Sequence, residues 1–264
     1  MGADYFTDIY SGKDGLSEKE RDIDMIPKII HYCWFGGKTL PSEAIACIES
    51  WKKYCPNFEI KEWNERNFDF SSCEYAKEAY AAKKWAFVSD YARFSILYNE
   101  GGLYFDTDVE IIKSIDEIVS RGPFMGLEDN CLVNPGLGIG SYKGNVLYRE
   151  ILEFYDNVHF LNKDGSYNLT TVVDYTTKIL LNHGLKESTM PQTVEDITIY
   201  PKDYFNPMDM DSGKINITDN TVSIHHYAAT WVDDYSRFRG KVYQKLTSLF
   251  GKEFAEKIRK IVGR

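Results

Sequence analysis

KIIHYCWFGG, residues Lys28 to Gly37, is the stretch on which the fold turns. From Lys28 to Phe35 the residues are mostly apolar or aromatic, and a glycine pair ends them, the pattern of a short buried strand. Pro41 then opens a helical stretch running to Tyr54, with Ile45, Ile48 and Trp51 at helical spacing. Pro56-Asn57 stops that helix, and Phe58 to Trp63 reads as a second strand. A strand, a helix and a strand at this spacing form the nucleotide-binding half of an α/β sheet.

Downstream of that unit, short helices are expected from about Tyr75, the second spanning roughly Lys84 to Asn99. On it Val88, Tyr91, Ala92 and Ser95 mark one face, while Asp90 and Arg93 share another. Gly101-Gly102 ends the helix, because glycine accepts the left-handed turn past a helix C-terminus. Leu103-Tyr104-Phe105 follows as a short apolar strand and runs into Asp106-Thr107-Asp108. A strand is expected around Phe124–Leu127, helices near Asn145–Tyr155 and Thr170–Asn182, and a last strand over Val222–His226. Residues 184–221 read as strand-poor and turn-rich. With no internal repeat and no linker, the expected class is α/β: a Rossmann-like mixed sheet flanked by helices, in one domain over 26–236.

Composition narrows the functions. The 264 residues include 43% hydrophobic and 27% charged residues, enough apolar surface for a folded core rather than a disordered chain. The net charge of −9 argues against nucleic acid as a partner. Residues 237–264 differ, with nine Lys and Arg against two Glu, a local +7 that leaves −16 for the rest. Val242, Leu246, Leu249, Phe250, Phe254, Ile258 and Ile261 recur there at spacings of three and four. The tail therefore reads as one basic amphipathic helix, suited either to packing on the domain or to an anionic membrane surface. Residues 1–25 read as a leader, added or variable. No apolar run approaches a membrane span. Five cysteines, Cys33, Cys47, Cys55, Cys73 and Cys131, lack any C-x-x-C spacing and are expected to be reduced thiols of a cytoplasmic protein.

Two carboxylates one residue apart at a strand's carboxyl end carry the sharpest chemistry. Strand alternation puts both on the same side, and their mutual repulsion favours a bound cation. Hard oxygen ligands at an open site suit Mg²⁺ or Mn²⁺ carrying a diphosphate. A calcium loop is excluded, because Ile111 stands where that loop needs glycine. His225 or His226, at the end of the last strand, could complete such a site with a neutral imidazole; only one of the pair can face it, and His225 is preferred. His31, inside the first strand, is expected to be a core histidine. Glu128-Asp129 reads as a solvated turn, and Asn134 as a candidate for bonding a sugar hydroxyl.

Ser89-Asp90-Tyr91-Ala92-Arg93, Gly101-Gly102-Leu103-Tyr104 and Asp106-Thr107-Asp108, in this order, resemble the D-x-D glycosyltransferases of family thirty-two and the glucosyltransferase domains of large bacterial toxins. His31-Tyr32-Cys33-Trp34-Phe35-Gly36-Gly37 and the helix with Trp51-Lys52 extend the likeness, which covers about residues 26–140. The resemblance implies an A-type glycosyltransferase fold and a nucleotide-sugar donor, a UDP-hexose or UDP-N-acetylhexosamine. It also implies a glycan or lipid-linked acceptor and Mn²⁺ or Mg²⁺ as cofactor, in surface polysaccharide synthesis. It gives Asp90, Arg93, Asp106 and Asp108 catalytic roles. Donor contacts are implied for Cys33, Trp34, Asn64, Asp90, Arg93, Tyr104, Asp106, Asn134 and Trp231, and metal ligation for Asp106, Asp108 and His225 (alternate His226). Trp34 would stack on or flank the base, and Trp231 would cover the diphosphate. Retention of configuration is the family's precedent, with the metal and Arg93 stabilising the departing diphosphate; an inverting enzyme would need a general base at the acceptor. Two other readings stay open on the residues alone. A nucleotidyltransferase would carry a longer basic glycine-rich loop than Gly36-Gly37-Lys38, and a non-catalytic sugar-binding module would bind a donor without turnover.

Overall fold

A computed structural model describes residues 25–262 apart from 130, 210 and 229–233. The expected leader and Trp231 lie outside the described residues.

Strand β1 (Ile29–Cys33), helix α1 (Ser42–Tyr54) and strand β2 (Glu59–Trp63) form the expected unit, with β1 and β2 parallel and Ile30 opposite Ile60. Helix α1 buries Ala44, Cys47, Ile48 and Trp51, whereas Ile45, expected on that face, is 48% exposed. The buried stripe therefore runs through the small Ala44 and Cys47 as well as Ile48 and Trp51. Trp51 anchors the helix. It is fully buried, meets Tyr32 edge-on and Phe105 at a tilt, and donates its indole N–H to the Val109 carbonyl at 2.7 Å. Trp51→Ala removes that contact and opens a cavity, a change that typically costs about 3–5 kcal/mol.

Helices α2 (Glu74–Ala81) and α3 (Trp85–Glu100) follow. Helix α3 buries Val88 and every residue from Asp90 to Leu97 except Ser95, since it packs against α2, β1 and α5 (Val146–Tyr155) at once. With the helix buried nearly all round, Asp90 and Arg93 pair with each other, their side chains 11% and 4% exposed. Gly101 and Gly102 then reverse the chain at φ +70° and +99°, and a side chain on Gly102 would meet the Ile29 carbonyl at 2.7 Å and the His31 ring at 2.9 Å. This bare backbone lets β3 (Gly102–Tyr104) lie directly on β1.

Among the described residues, seven strands form one sheet in the order β2-β1-β3-β6-β5-β8-β7, with β5 (Phe124–Gly126), β6 (Ile139–Ser141), β7 (Gln192–Val194) and β8 (Ile197–Tyr200). Pairings β1–β2, β1–β3 and β5–β8 are parallel; β6 runs antiparallel to both β3 and β5, and β7 antiparallel to β8. The sheet is mixed and α/β, as expected. The strands β7 and β8 correct the reading of 184–221 as strand-poor. Gln192-Thr193-Val194 and Ile197-Thr198-Ile199-Tyr200 are short, and Glu195 between them turns at φ +54°, a residue type with no turn signature for this conformation.

A second, two-stranded ribbon joins β4 (Val109–Ile111) to β9 (Ser223–His225), antiparallel with Val109 opposite His225. One hydrophobic cluster packs α2, α3, α5 and α6 (Val172–Asn182) on one face of the sheet; the other packs α1, β4 and the short helices α4 (Asp116–Ser120) and α7 (Lys202–Phe205). The expected tail helix is two helices, α8 (Asp234–Phe250) and α9 (Lys252–Val262), because Gly251 between them adopts φ +84°.

Candidate active site

The site forms where β3 ends. Phe105 continues the pairing by donating its N–H to the His31 carbonyl, and Asp106 N–H then crosses to the Gly136 carbonyl at 3.2 Å. Val109 N–H bonds back to the Asp106 carbonyl at 3.0 Å, which closes a turn over Asp106-Thr107-Asp108. The two carboxylates therefore converge through a turn, and the expectation that strand alternation aligns them is corrected. A four-residue turn needs few side-chain constraints, and the antiparallel β4–β9 ribbon beyond it supplies the rest.

That ribbon places His225 at the site. Its Nε2 lies 3.0 Å from Asp108 Oδ1, and the other carboxylate oxygen of Asp108 accepts the Ala228 N–H at 2.8 Å. His226 faces away, with its Nε2 2.9 Å from Glu110. Burial alone would raise the pKa of Asp108, but the opposed His225 and the Ala228 N–H outweigh it and hold the carboxyl at about 2. Burial disfavours a charged His225, yet Asp108 beside it lifts its pKa.

Asp106 is held from behind. Tyr104 donates its hydroxyl to Asp106 Oδ1 at 2.9 Å, and Arg93 NH2 lies 3.4 Å from the same oxygen. The guanidinium stacks over the Tyr104 ring at 4.9 Å, bonds Asp90 at 2.9 Å and donates to the Ser89 carbonyl. The side chain is 4% exposed, so Arg93 is a buried organiser of both aspartates. Burial raises the pKa of Asp90, against Arg93. Beside them, burial pushes the Cys33 thiol up, with Arg93 opposing and Asp106 adding to it, which makes it an inert wall. His31 is the core histidine expected: Nε2 donates to the Gly101 carbonyl and Nδ1 accepts the Trp63 indole N–H, both at 3.0 Å.

Of the other expected donor contacts, Trp34 is half-buried past the end of β1, with its indole N–H on the Lys38 carbonyl. Asn64 caps the turn after β2, with its oxygen accepting the Arg66 N–H and its amide on Glu62. Asn134 sits in the wall next to Asp106, with its oxygen on Gly136 N–H and its amide on Glu128. Glu128 is no solvated turn: half-buried, it also accepts the Tyr227 hydroxyl at 3.0 Å. Sequence reasoning also passed over Gly136. A Cβ there would stand 2.2 Å from Asp106 Oδ2, so any side chain at 136 would displace the carboxylate. The run Val133-Asn134-Pro135-Gly136 was its available signal.

Carboxylate oxygens of Asp106 and Asp108 and an imidazole nitrogen of His225 lie within 4.8 Å of one another. Two carboxylate oxygens and one imidazole are the right donor chemistry for Mn²⁺ or Mg²⁺, and the residues present fit such an ion.

The cluster stands past the carboxyl end of β3 and at the end of the β4–β9 ribbon, where two carboxylates and an imidazole suit a bound cation. Residues 41–125 match the family model described as "Glycosyltransferase sugar-binding region containing DXD motif". That segment, which holds Asp90, Arg93, Tyr104, Asp106 and Asp108, is similar to the DXD sugar-binding region of glycosyltransferases. A curated relative, an uncharacterized glycosyltransferase of Acanthamoeba polyphaga mimivirus, is 26% identical over 198 residues, 72% of this chain and 76% of its own. Among solved structures, the PaToxG glycosyltransferase is similar at 20% identity over 60% of this chain and 69% of its own, with a TM-score of 0.48. A glycosyltransferase involved in glycosylation of the major capsid of PBCV-1 follows at 10% identity, 82% and 100% coverage, and a TM-score of 0.43. The galactosyltransferase LgtC, solved with donor and acceptor sugar analogs, gives 15% identity, 87% and 95% coverage, and a TM-score of 0.40.

Proposed function

We propose that the protein transfers a hexose or N-acetylhexosamine from a UDP-linked donor to a hydroxyl of a glycan or lipid-linked acceptor, in surface polysaccharide synthesis. The convergence of Asp106, Asp108 and His225 within 4.8 Å beside the buried Arg93 is the observation that carries the reading. Asp106, Asp108 and His225 would hold Mn²⁺ or Mg²⁺, which when bound neutralises charge on the diphosphate.

The chain's own residues account for the remainder. Arg93 and the Tyr104 hydroxyl fix Asp106 in one rotamer, and the Ala228 N–H fixes Asp108, so the ligands are preorganised before a donor arrives. Trp34, past the end of β1, would flank the base and Asn64 would lie near it, while Asp90 and Asn134 would meet the sugar. In the reaction the bond from the anomeric carbon to the diphosphate oxygen breaks, with its electron pair leaving on the nucleoside diphosphate. The acceptor oxygen bonds the anomeric carbon, and its proton passes to the departing phosphate. Departure and attack on one face give retention, and this route needs no enzyme nucleophile.

Nucleotide release from a panel of UDP- and GDP-sugars, with and without Mn²⁺, tests the reading. One donor hydrolysed slowly with Mn²⁺, and not by Asp108→Asn, is expected. No Mn²⁺-dependent donor binding and no release from any donor overturns it.

The basic tail favours a second element, a peripheral position at the cytoplasmic face of a membrane. Leu249, Phe250 and Phe254 are 64%, 61% and 43% exposed, and the two phenylalanine rings meet at 5.1 Å across the Gly251 break. Among the described residues no helix is long and apolar enough to cross a membrane. An exposed aromatic cluster set among Lys245, Lys252 and Lys257 instead suits insertion at an anionic interface. Sedimentation with phosphatidylglycerol vesicles should fall in the double variant Phe250→Ser, Phe254→Ser; equal sedimentation removes this element and leaves the transferase reading standing.

A further inference from the structure

The two arms of the site come from distant parts of the chain, and one carboxylate bonds to both. On one side Glu128 accepts the Asn134 amide at 3.0 Å; the Asn134 oxygen holds Gly136 N–H at 2.7 Å, and Gly136 in turn holds Asp106 N–H and abuts its carboxylate. On the other side Glu128 accepts the Tyr227 hydroxyl at 3.0 Å. Tyr227 packs its ring against His225, with centroids 4.0 Å apart, and its hydroxyl also accepts the Asn206 amide at 2.7 Å.

Tyr227 is held in a conformation that it would not adopt unaided. Its φ of +48° is in the left-handed region, where a bulky aromatic residue costs on the order of 1–3 kcal/mol and persists only if its surroundings over-determine it. Just before Tyr227, His226 N–H bonds the Asp108 carbonyl at 2.9 Å, and just after it Ala228 N–H reaches the Asp108 carboxylate, while His225 faces the other carboxylate oxygen. The hydroxyl of Tyr227, anchored on Glu128 and Asn206, is what secures that turn.

We infer that Glu128 and Tyr227 form a positioning clamp that sets the distance between Asp106 and the Asp108–His225 pair, and so sets the divalent-cation affinity of the site. The inference rests on the metal-dependent transferase reading above. Partners that hold ligands in place typically change metal affinity 10–100-fold when removed. The clamp acts through ligand placement, so its loss raises the metal concentration needed and leaves the rate at saturating metal much less affected.

The test measures Mn²⁺ binding directly, from the electron paramagnetic resonance signal of free Mn²⁺ during titration of the full chain with UDP present. Tyr227→Phe, which keeps the ring against His225, and Glu128→Gln, which keeps the size, are compared with wild type and with Asp108→Asn. The clamp predicts a Kd about tenfold or more weaker in both clamp variants, with circular dichroism and Tm close to wild type, and donor hydrolysis recovering as Mn²⁺ is raised. A Kd within about twofold of wild type in both variants, while Asp108→Asn abolishes binding, overturns the clamp and leaves the metal site intact. Binding untouched by Asp108→Asn as well would remove the metal reading itself and the clamp with it. If Tm collapses in Glu128→Gln, Tyr227→Phe alone decides, because it deletes one oxygen from a ring that stays packed.

Discussion

His31 makes the chain's stability depend on mild acidity, and the size of the effect follows from its two hydrogen bonds. The residue is fully buried; Nε2 donates to the Gly101 carbonyl, and Nδ1 accepts from the Trp63 indole. Only the neutral ring satisfies both, since a proton on Nδ1 would point at another N–H. Burial, partly offset by the Gly101 carbonyl, lowers the His31 pKa from 6.5 to about 4. The sign follows. Between those two values the unfolded chain binds a proton that the folded chain refuses, so stability falls as pH drops through the window, and the loss is complete below the folded pKa. From pH 7.5 to pH 5.0 the two protonation curves give a loss of about 2 kcal/mol from this residue alone. Urea unfolding at both pH values, on wild type and His31→Gln, isolates it. The variant begins less stable, having disturbed the Trp63 and Gly101 bonds, but lacks the titration. Its pH-dependent loss should therefore be about 2 kcal/mol smaller than that of wild type. Other groups cancel in the comparison, including His183, whose pKa is raised by Glu195 and Glu150 and whose contribution has the opposite sign. Parallel pH dependences, within about 0.5 kcal/mol, would refute the neutral, doubly bonded histidine.

Three further outcomes concern the site. Asp108→Asn removes a ligand charge and should lower Mn²⁺-dependent donor turnover by roughly 10²-fold or more, read from steady-state rates over a range of Mn²⁺; an unchanged rate contradicts the ligand role. Gly136→Ala drives a methyl group to 2.2 Å from Asp106 Oδ2, so the carboxylate must move. Mn²⁺ affinity should weaken about tenfold or more while the thermal unfolding midpoint changes little, and unaltered Mn²⁺ binding would show that Asp106 is not held where the structure puts it. Trp34→Ala should weaken UDP binding by about 1–3 kcal/mol if the indole stacks on the base, as calorimetry with UDP and Mn²⁺ would show; equal affinities would make Trp34 a wall of the core alone.

What the sequence disclosed is what local chemistry decides. The β1–α1–β2 unit was legible because apolar runs, Pro41, Pro56 and Gly36-Gly37 mark its edges within a few residues of each other. Asp106 and Asp108 were legible because adjacency in sequence guarantees adjacency in space, even though a turn rather than an extended strand brings their carboxylates together. The tail break at Gly251 was missed because the apolar spacing continues across it, and periodicity outweighed a single glycine. Ile45 is exposed for a related reason: bulk alone does not mark the buried face, which runs through the small Ala44 and Cys47.

The second arm of the site obeys a different logic. Only its place directly after the apolar strand residues favours His225 over His226 in the sequence; the choice is made by pairing register, with Val109 opposite His225, so a one-residue slip of β9 would present His226 to Asp108 instead. Register in so short a ribbon cannot be secured by its own few backbone bonds. It is secured at its end, where His226 N–H bonds the Asp108 carbonyl, Ala228 N–H bonds the carboxylate, and Tyr227 is held at φ +48°. Glu128 and Tyr227 could not be found by motif for the same reason. Each is ordinary in its own segment and acquires a function only through what folding sets against it. A site whose ligands come from a turn and a distant ribbon must carry such cross-links, because the turn alone fixes two ligands and leaves the third free to slip.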